Sequence, residues 1–327
     1  MKRYLPLFAS AALSAALPLS AQEAKTYPAP SEIVAAAKVD EWVAIESSDL
    51  LVMDLAPDSK GKPRRVVIQF IPAPFSQGWV SNIRKLAGAH WWDGTSINRV
   101  QDNYVVQWGD ATEKKALPEG LAVVSESGYR TRTEIVFPST KGHIVGSKGQ
   151  LPAAVVREME IAAAAPKMAD AYSASLSHWS GWPIAGDFET YWPTHCYGMV
   201  GVGRNLSPDT GSGAELYTVI GHAPRHLDRN IALVGRVIEG IENLSSLPRG
   251  TGALGFYEKE EERVPILSVR LGNEATDVPA FEYLSTDSDS FAAYANARAN
   301  RRDPFFNVPA GGADICNIPV PIRRKAK

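Results

Sequence analysis

The chain has 327 residues, 45% hydrophobic and 21% charged, an ordinary globular composition with enough apolar material for a large core and length enough for two domains. A formal net charge of −2 gives no basic footprint for a nucleic-acid partner. Two cysteines, Cys196 and Cys316, neither demand nor exclude an oxidising compartment.

The N-terminus reads as a targeting segment. Lys2 and Arg3 precede an apolar run from Leu5 to Leu19, and Leu19-Ser20-Ala21 ends on a small residue. That pattern predicts a secretory signal over residues 1–21, cleaved after Ala21, and a periplasmic or secreted mature protein. The run is short for a spanning helix, and no other segment looks transmembrane, so no membrane insertion is expected after cleavage. Cleavage would remove two cations. In an exported protein Cys196 and Cys316 could pair, the alternative being two buried free thiols.

Residues 22–40 read as a mobile arm ending in a short helix. Trp42 to Ile45, Leu50 to Leu55 and Arg65 to Ile71 are strand-like, with a turn at Asp58-Ser59-Lys60-Gly61. Gln77 to Ala89 predicts a helix, because Val80, Ile83 and Leu86 recur at three-residue spacing. Beyond residue 111 come a strand candidate at Thr131 to Phe137, a Gly-rich turn at Lys141 to Gly149 and a helix from about Pro152 to Ala165. An aromatic stretch follows, with His178-Trp179-Ser180-Gly181-Trp182-Pro183 and Tyr191-Trp192-Pro193. Further on, a helix is expected near Ile238 to Leu247, a strand at Val264 to Leu271 and a helix at Ser288 to Arg301. The basic end, Arg323-Arg324-Lys325-Ala326-Lys327, reads as a solvated tail.

The most informative stretch runs from Ser96 to Asp110. Arg99 is followed five residues later by Tyr104, and Gln107-Trp108-Gly109-Asp110 comes next. This resembles the cyclophilin signature R-[IV]-[IV]-P-x-F-x-[IVC]-Q-G-G-D. Downstream, Gly198 to Asn205 resembles G-T-[IV]-A-M-A-R, and Ser212 to Tyr217 resembles S-[AG]-x-S-Q-F-F. His226-Leu227-Asp228 and Ala232 to Gly240 are similar to W-L-D-G and V-V-F-G-K-V-x-x-G. The chain is thus identified as similar to bacterial, exported cyclophilin-type peptidyl-prolyl cis-trans isomerases, divergent and with a large insertion.

The resemblance implies a mainly β fold, a closed eight-stranded antiparallel barrel with two flanking helices. It assigns residues 41–272 to that domain, about 111–195 to the insertion and 273–327 to a C-terminal extension. The insertion would be either a substrate-engaging lobe or a segment packed on the barrel by its aromatics. By matched position, Arg99 is the catalytic arginine and Gln107 orients it and the substrate. Tyr104, Val105, Tyr217 and Leu227 would wall the proline pocket. Gly203 and Asn205 would hold the residue before the proline. Glu215 stands where the family has Gln, and His226 where many members have Trp or Phe; both fall on the substrate side. Asp102 replaces Pro, Trp108 replaces Gly, and Ile231 replaces a histidine of eukaryotic members. No cofactor is implied, and the clients would be proline-containing exported polypeptides. A non-catalytic peptide-binding or holdase module on the same fold is the alternative.

Three weaker patterns are set aside. His222 and His226 have i,i+4 spacing, but Pro224 breaks the helix a metal pair needs. His195 and Cys196 are adjacent and so point to opposite faces of a strand. Gly201-Val202-Gly203 lacks the third glycine of a dinucleotide loop.

Overall fold

A computed structural model describes residues 27–136 and 170–326. The signal segment, the Gly-rich turn at 141–149 and the helix expected from Pro152 to Ala165 lie outside the described residues.

Eight strands close into an antiparallel barrel, as expected. In sequence order they are β2 (Leu50–Leu55), β3 (Arg64–Phe70), β4 (Ser96–Val100), β5 (Val105–Gly109), β10 (Met199–Val202), β11 (Leu216–Val219), β12 (Leu233–Glu239) and β13 (Val264–Leu271). Around the barrel the order is β10-β11-β5-β4-β13-β2-β3-β12, with β12 closing on β10. The period-2 alternation of a strand explains who faces where. Leu51, Met53 and Leu55 of β2, and Val66, Ile68 and Phe70 of β3, fill the interior. Leu50 and Val67 between them point outward, into a separate cluster with Ile45 and Phe281. The outer face of these strands is thus apolar at Leu50 and Val67 and polar at Asp54, Arg65 and Gln69.

Helix α2 (Gln77–Gly88) packs on β13 and β12 and buries Trp79, Val80, Ile83, Leu86 and Ala87. The second flanking helix is much shorter than expected. Ile238 belongs to β12, and only one turn, α4 (Glu242–Ser245), follows, because Gly240 at φ +84 ends the strand against the Arg65 carbonyl.

Three other expectations are corrected. Trp42 to Ile45 is a strand, β1 (Trp42–Ile45), but not a barrel strand. It pairs with β14 (Phe281–Leu284), which pairs with β15 (Ile322–Arg324). The described part of the N-terminal arm and the C-terminal extension therefore form one unit. Helix α1 (Pro30–Ala36) contacts α5 (Asp289–Ala299), and Trp42, Leu284, Phe291, Tyr294 and Ile318 make their shared core. The basic end is not merely a solvated tail. Arg323 pairs with Glu282 at 2.7 Å and lies 3.7 Å from the Trp42 ring centroid, while Arg324 pairs with Glu239 at 2.6 Å. The strand candidate at Thr131 keeps only two extended residues, β6 (Thr131–Arg132), before a helical turn, α3 (Thr133–Val136).

The aromatic part of the insertion is a hairpin and a third strand, β7 (Ser175–Trp179), β8 (Trp182–Gly186) and β9 (Thr190–Pro193), in one sheet with β6. Trp182, Ile184 and Trp192 are fully buried, the first two within the barrel's own apolar cluster. Arg236 of β12 donates to the Gly181 carbonyl at 2.6 Å and stacks on Trp182 at 4.2 Å. Its complete burial pulls the guanidinium down to about 9.

Cys196 and Cys316 are joined in a disulfide with Cα atoms 5.1 Å apart. The bridge ties the strand-entry segment before β10 to the C-terminal unit across a separation of 120 residues. In the chain-entropy account, closing so long a loop restricts the unfolded chain strongly, and removing a native bridge costs about 2–5 kcal/mol. Cys316→Ser is therefore expected to lower the unfolding free energy by that amount, seen as a lower denaturant midpoint, and thiol titration of the unfolded wild type should find no free thiol. Two titratable thiols, or an unchanged midpoint, would contradict the role of the bridge.

Candidate active site

The site is a row of residues set side by side across the outer face of the barrel. Arg99 of β4 stands opposite Gln107 of β5, Gln107 opposite Tyr217 of β11, and Tyr217 opposite Gly201 of β10. Alternation places Val106 and Trp108 inside and Val105 and Gln107 outside. Strand β4 needs more than alternation. Ile97 and Val100 both face the core, three residues apart, and a register shift between Ile97 and Arg99 allows it. The extra residue of this bulge turns Arg99 outward.

Tyr217, Val105 and Val219 form a small outer cluster with Tyr104, Leu227 and Ile231. Gly201 is required beneath it: a Cβ there would meet the tip of the Tyr217 ring at 2.3 Å. His226 lies against this cluster from outside, its ring parallel to Tyr104 with centroids 6.3 Å apart.

Arg99 is half-buried and held on every side. Its Nε donates to the Leu254 carbonyl at 2.8 Å and one Nη1–H to Gln107 Oε1 at 3.2 Å, while Nη2 donates to Gln101 Oε1. The guanidinium sits between two rings, 5.8 Å from the Tyr104 centroid and 5.2 Å from that of Phe256. One N–H on each terminal nitrogen remains uncommitted. Burial pulls the guanidinium below its ordinary value, and the neighbouring Tyr104 works the other way. Burial likewise pushes the Tyr104 phenol up.

Arg99, Tyr104, Val105, Gln107, Gly203, Asn205, Glu215, Tyr217 and Leu227 line a single groove of about 780 Å³. Of the residues expected there, His226 alone is not on the wall; it acts on the groove through Tyr104. Several residues on the wall were not anticipated. Leu254 and Phe256 come from the loop before β13, where Phe256 bridges to Arg99. They belong to no motif. Leu254 (φ +55) precedes Gly255 (φ +80), a doubly left-handed turn that aims the Leu254 carbonyl at Arg99. Asp110, Ala111, Glu113, Lys115 and Leu117, from the segment after β5, also line the groove.

Beneath the pocket runs a buried polar chain. The Tyr217 hydroxyl meets His195 Nε2 at 3.0 Å, and His195 Nδ1 meets Asp228 at 2.9 Å. Arg225 donates to Asp228 at 2.5 Å and to Asp170 at 2.7 Å. The side chains of His195, Asp228, Arg225 and Asp170 are at most 3% exposed. A carboxylate only accepts, so Nδ1 faces Asp228 as a donor, and the Tyr217 hydroxyl is drawn to Nε2. The phenol group therefore points away from the groove, which sees only the ring. Burial raises the Tyr217 phenol well above its ordinary value. His195 and Cys196 do not act together: one is in this chain and the other in the disulfide.

A family model described as cyclophilin type peptidyl-prolyl cis-trans isomerase matches residues 77–271. The chain belongs to this family. Its reaction class is therefore peptidyl-prolyl cis-trans isomerisation. Among solved structures, cyclophilin AquaCyp293 from Hirschia baltica is similar over 88% of this chain and 95% of its own, with a TM-score of 0.58 and 18% identity. That likeness extends to the fold alone. A cyclophilin type isomerase of Cryptosporidium parvum, crystallised in the presence of the dipeptide Ala-Pro, is similar at 9% identity and a TM-score of 0.36, over 67% of this chain and 98% of its own. No curated protein matches.

The buried chain yields a stability prediction. Tyr217→Phe removes a hydroxyl and leaves one ring nitrogen unpaired, with an expected loss of about 1–2 kcal/mol. His195→Ala opens a cavity and strips a buried carboxylate of a partner, with an expected loss of about 3–5 kcal/mol. Urea unfolding of the two variants checks this, and equal losses would contradict the ordering.

Proposed function

We propose that this chain isomerises X–Pro bonds of exported polypeptides, with Arg99 stabilising the twisted imide. Rotation about a peptide bond faces about 18–20 kcal/mol because resonance gives the C–N bond double-bond character. Twisting returns the lone pair to the imide nitrogen, which can then accept a hydrogen bond that the planar ground state cannot. A donor aimed at that nitrogen therefore acts on the transition state selectively. The observation that carries the reading is the fixing of Arg99: three acceptors and two rings hold the guanidinium while one N–H on each terminal nitrogen stays available. Little reorganisation is left for the moment of rotation. The Tyr104, Val105, Tyr217 and Leu227 cluster supplies an apolar seat for a pyrrolidine ring. Gln107 holds Arg99 from the neighbouring strand, and Gly203 and Asn205 form the rim for the preceding residue. No cofactor takes part in a bond rotation.

Export is supported by the Lys2-Arg3 and Leu5–Leu19 pattern and by the Cys196–Cys316 disulfide, which persists in an oxidising compartment. Clients would then be periplasmic or secreted chains with exposed X–Pro bonds.

Arg99→Ala is expected to lower kcat/KM on a short X–Pro peptide by about 100-fold, the low end of the range seen for removal of one well-placed donor. Arg99→Lys should recover little, since an ammonium lacks the planar fork. Gln107→Ala should show a smaller loss. Peptide isomerisation rates beside thermal unfolding curves check all three. An Arg99→Ala protein that folds and isomerises at the wild-type rate would refute the mechanism.

A further inference from the structure

The groove continues past the proline seat, and its next stretch holds a carboxylate with no cation beside it. Glu215 lies two positions before Tyr217, so its side chain shares Tyr217's outer face, about 7 Å along the strand. Two glycines make room for it. A Cβ on Gly109 would fall 1.8 Å from Glu215 Oε1, and a Cβ on Gly203 would fall 2.9 Å from Glu215 Cβ. The carboxylate thus rests in a cradle that a side chain at either position would fill.

Its only side-chain partners are two amides at long range, Asn98 Nδ2 at 3.4 Å and Gln107 Nε2 at 3.5 Å. Among the described residues, no lysine or arginine forms an ion pair with it. Arg263 also lines the groove with an unpartnered Nε, but it makes no ion pair with Glu215, and the other cations on this wall are committed elsewhere. Arg204 donates to the carbonyls of Asn230 and Asn205, Lys115 donates to that of Asp93, and Arg99 is clamped as described. A second acceptor stands beside Glu215. Asn98 lines the groove, is only 6% exposed, and its Oδ1 has no hydrogen-bond partner. A partly buried carboxylate, met by the Asp110 backbone N–H and two long amide contacts but by no cation, and a buried amide oxygen without a donor form the complement of a group that only donates. Burial pushes the Glu215 carboxyl above its ordinary range, as it must for an acid with no counter-charge.

We infer that Glu215 and Asn98 form a subsite for a cationic side chain, lysine or arginine, within two residues of the client's proline. The proposal rests on the isomerase reading above and names the client class. Two residues of extended chain span about 7 Å, the same separation as Tyr217 and Glu215, so a peptide seated on the proline pocket brings such a side chain to the cradle. A long side chain can lay its apolar stem along the groove and put its charged head against the carboxylate.

The test uses the full mature chain and matched X–Pro peptides carrying Lys, Gln or Glu at each of the two positions on either side of the proline. At one position, low salt should give the Lys peptide a kcat/KM about tenfold above the Glu peptide, since charge complementarity acts mainly on encounter and selection. The ratio should shrink as ionic strength approaches about 1 M, where surface charges are screened within about 3 Å. It should fall to near one in Glu215→Gln and invert in Glu215→Lys, whatever the absolute rates of those variants. Equal rates for Lys and Glu peptides at every position in the wild type would overturn the proposal. So would a preference indifferent to salt or retained in both variants. If no peptide is isomerised at all, it is the proposed function that fails; calorimetric titration of the same peptides then decides the subsite, with equal affinities counting against it.

Discussion

Barrel closure is the constraint on which the rest depends. Eight strands enclose an interior just wide enough for their own side chains, and here it is filled by residues such as Met53, Ile68, Ile97 and Trp108. Nothing can bind inside. Chemistry is forced to the outer face, where alternation and one bulge deliver Arg99, Gln107 and Tyr217 as neighbours on adjacent strands. The bulge in β4 reconciles two demands. Ile97 and Val100 must both reach the core, and Arg99 between them must not.

The outer face is costly to build because its polar groups are only partly wet. Each is therefore restrained by a second layer. Arg99 is held by the Leu254 carbonyl and two glutamines, and Tyr217 by a chain of His195, Asp228, Arg225 and Asp170. The second device lets a tyrosine serve as an apolar wall, since its hydroxyl is drawn to the interior side. Glu215 is less restrained, with the Asp110 backbone N–H, two long amide contacts and no counter-charge.

The segments added to the barrel are anchored to its outside. The β7–β8 hairpin seats Trp182 in the barrel's apolar cluster and takes Arg236 onto its turn. The described N-terminal and C-terminal parts meet in a separate three-stranded sheet, joined to the barrel side by the Cys196–Cys316 bridge. Among the described residues of the stretch expected as the insertion, Ala111, Glu113, Lys115 and Leu117 reach the groove.

By itself the sequence determined the barrel family, the helix at Gln77–Gly88, the strand at Val264–Leu271 and nine of the wall residues. These are legible because they follow local periodicity or sit in short motifs whose spacing is fixed by adjacent strands. Residues far apart in the chain carry no such mark. Leu254 and Phe256 lie some 155 residues from Arg99 and were found only where the folded loop brings them against it. Trp42 to Ile45 looked like a barrel strand because alternation says that a segment is extended, not which edge it joins; the tertiary structure paired it with Phe281–Leu284. The basic C-terminal end looked solvated because charge suggests exposure, yet Glu282, Glu239 and the Trp42 ring were waiting for it in the fold. Which side chains stand on the outer face was written in the sequence. Which carbonyls, carboxylates and rings hold it there depended on long-range pairing, which only the closed structure decides.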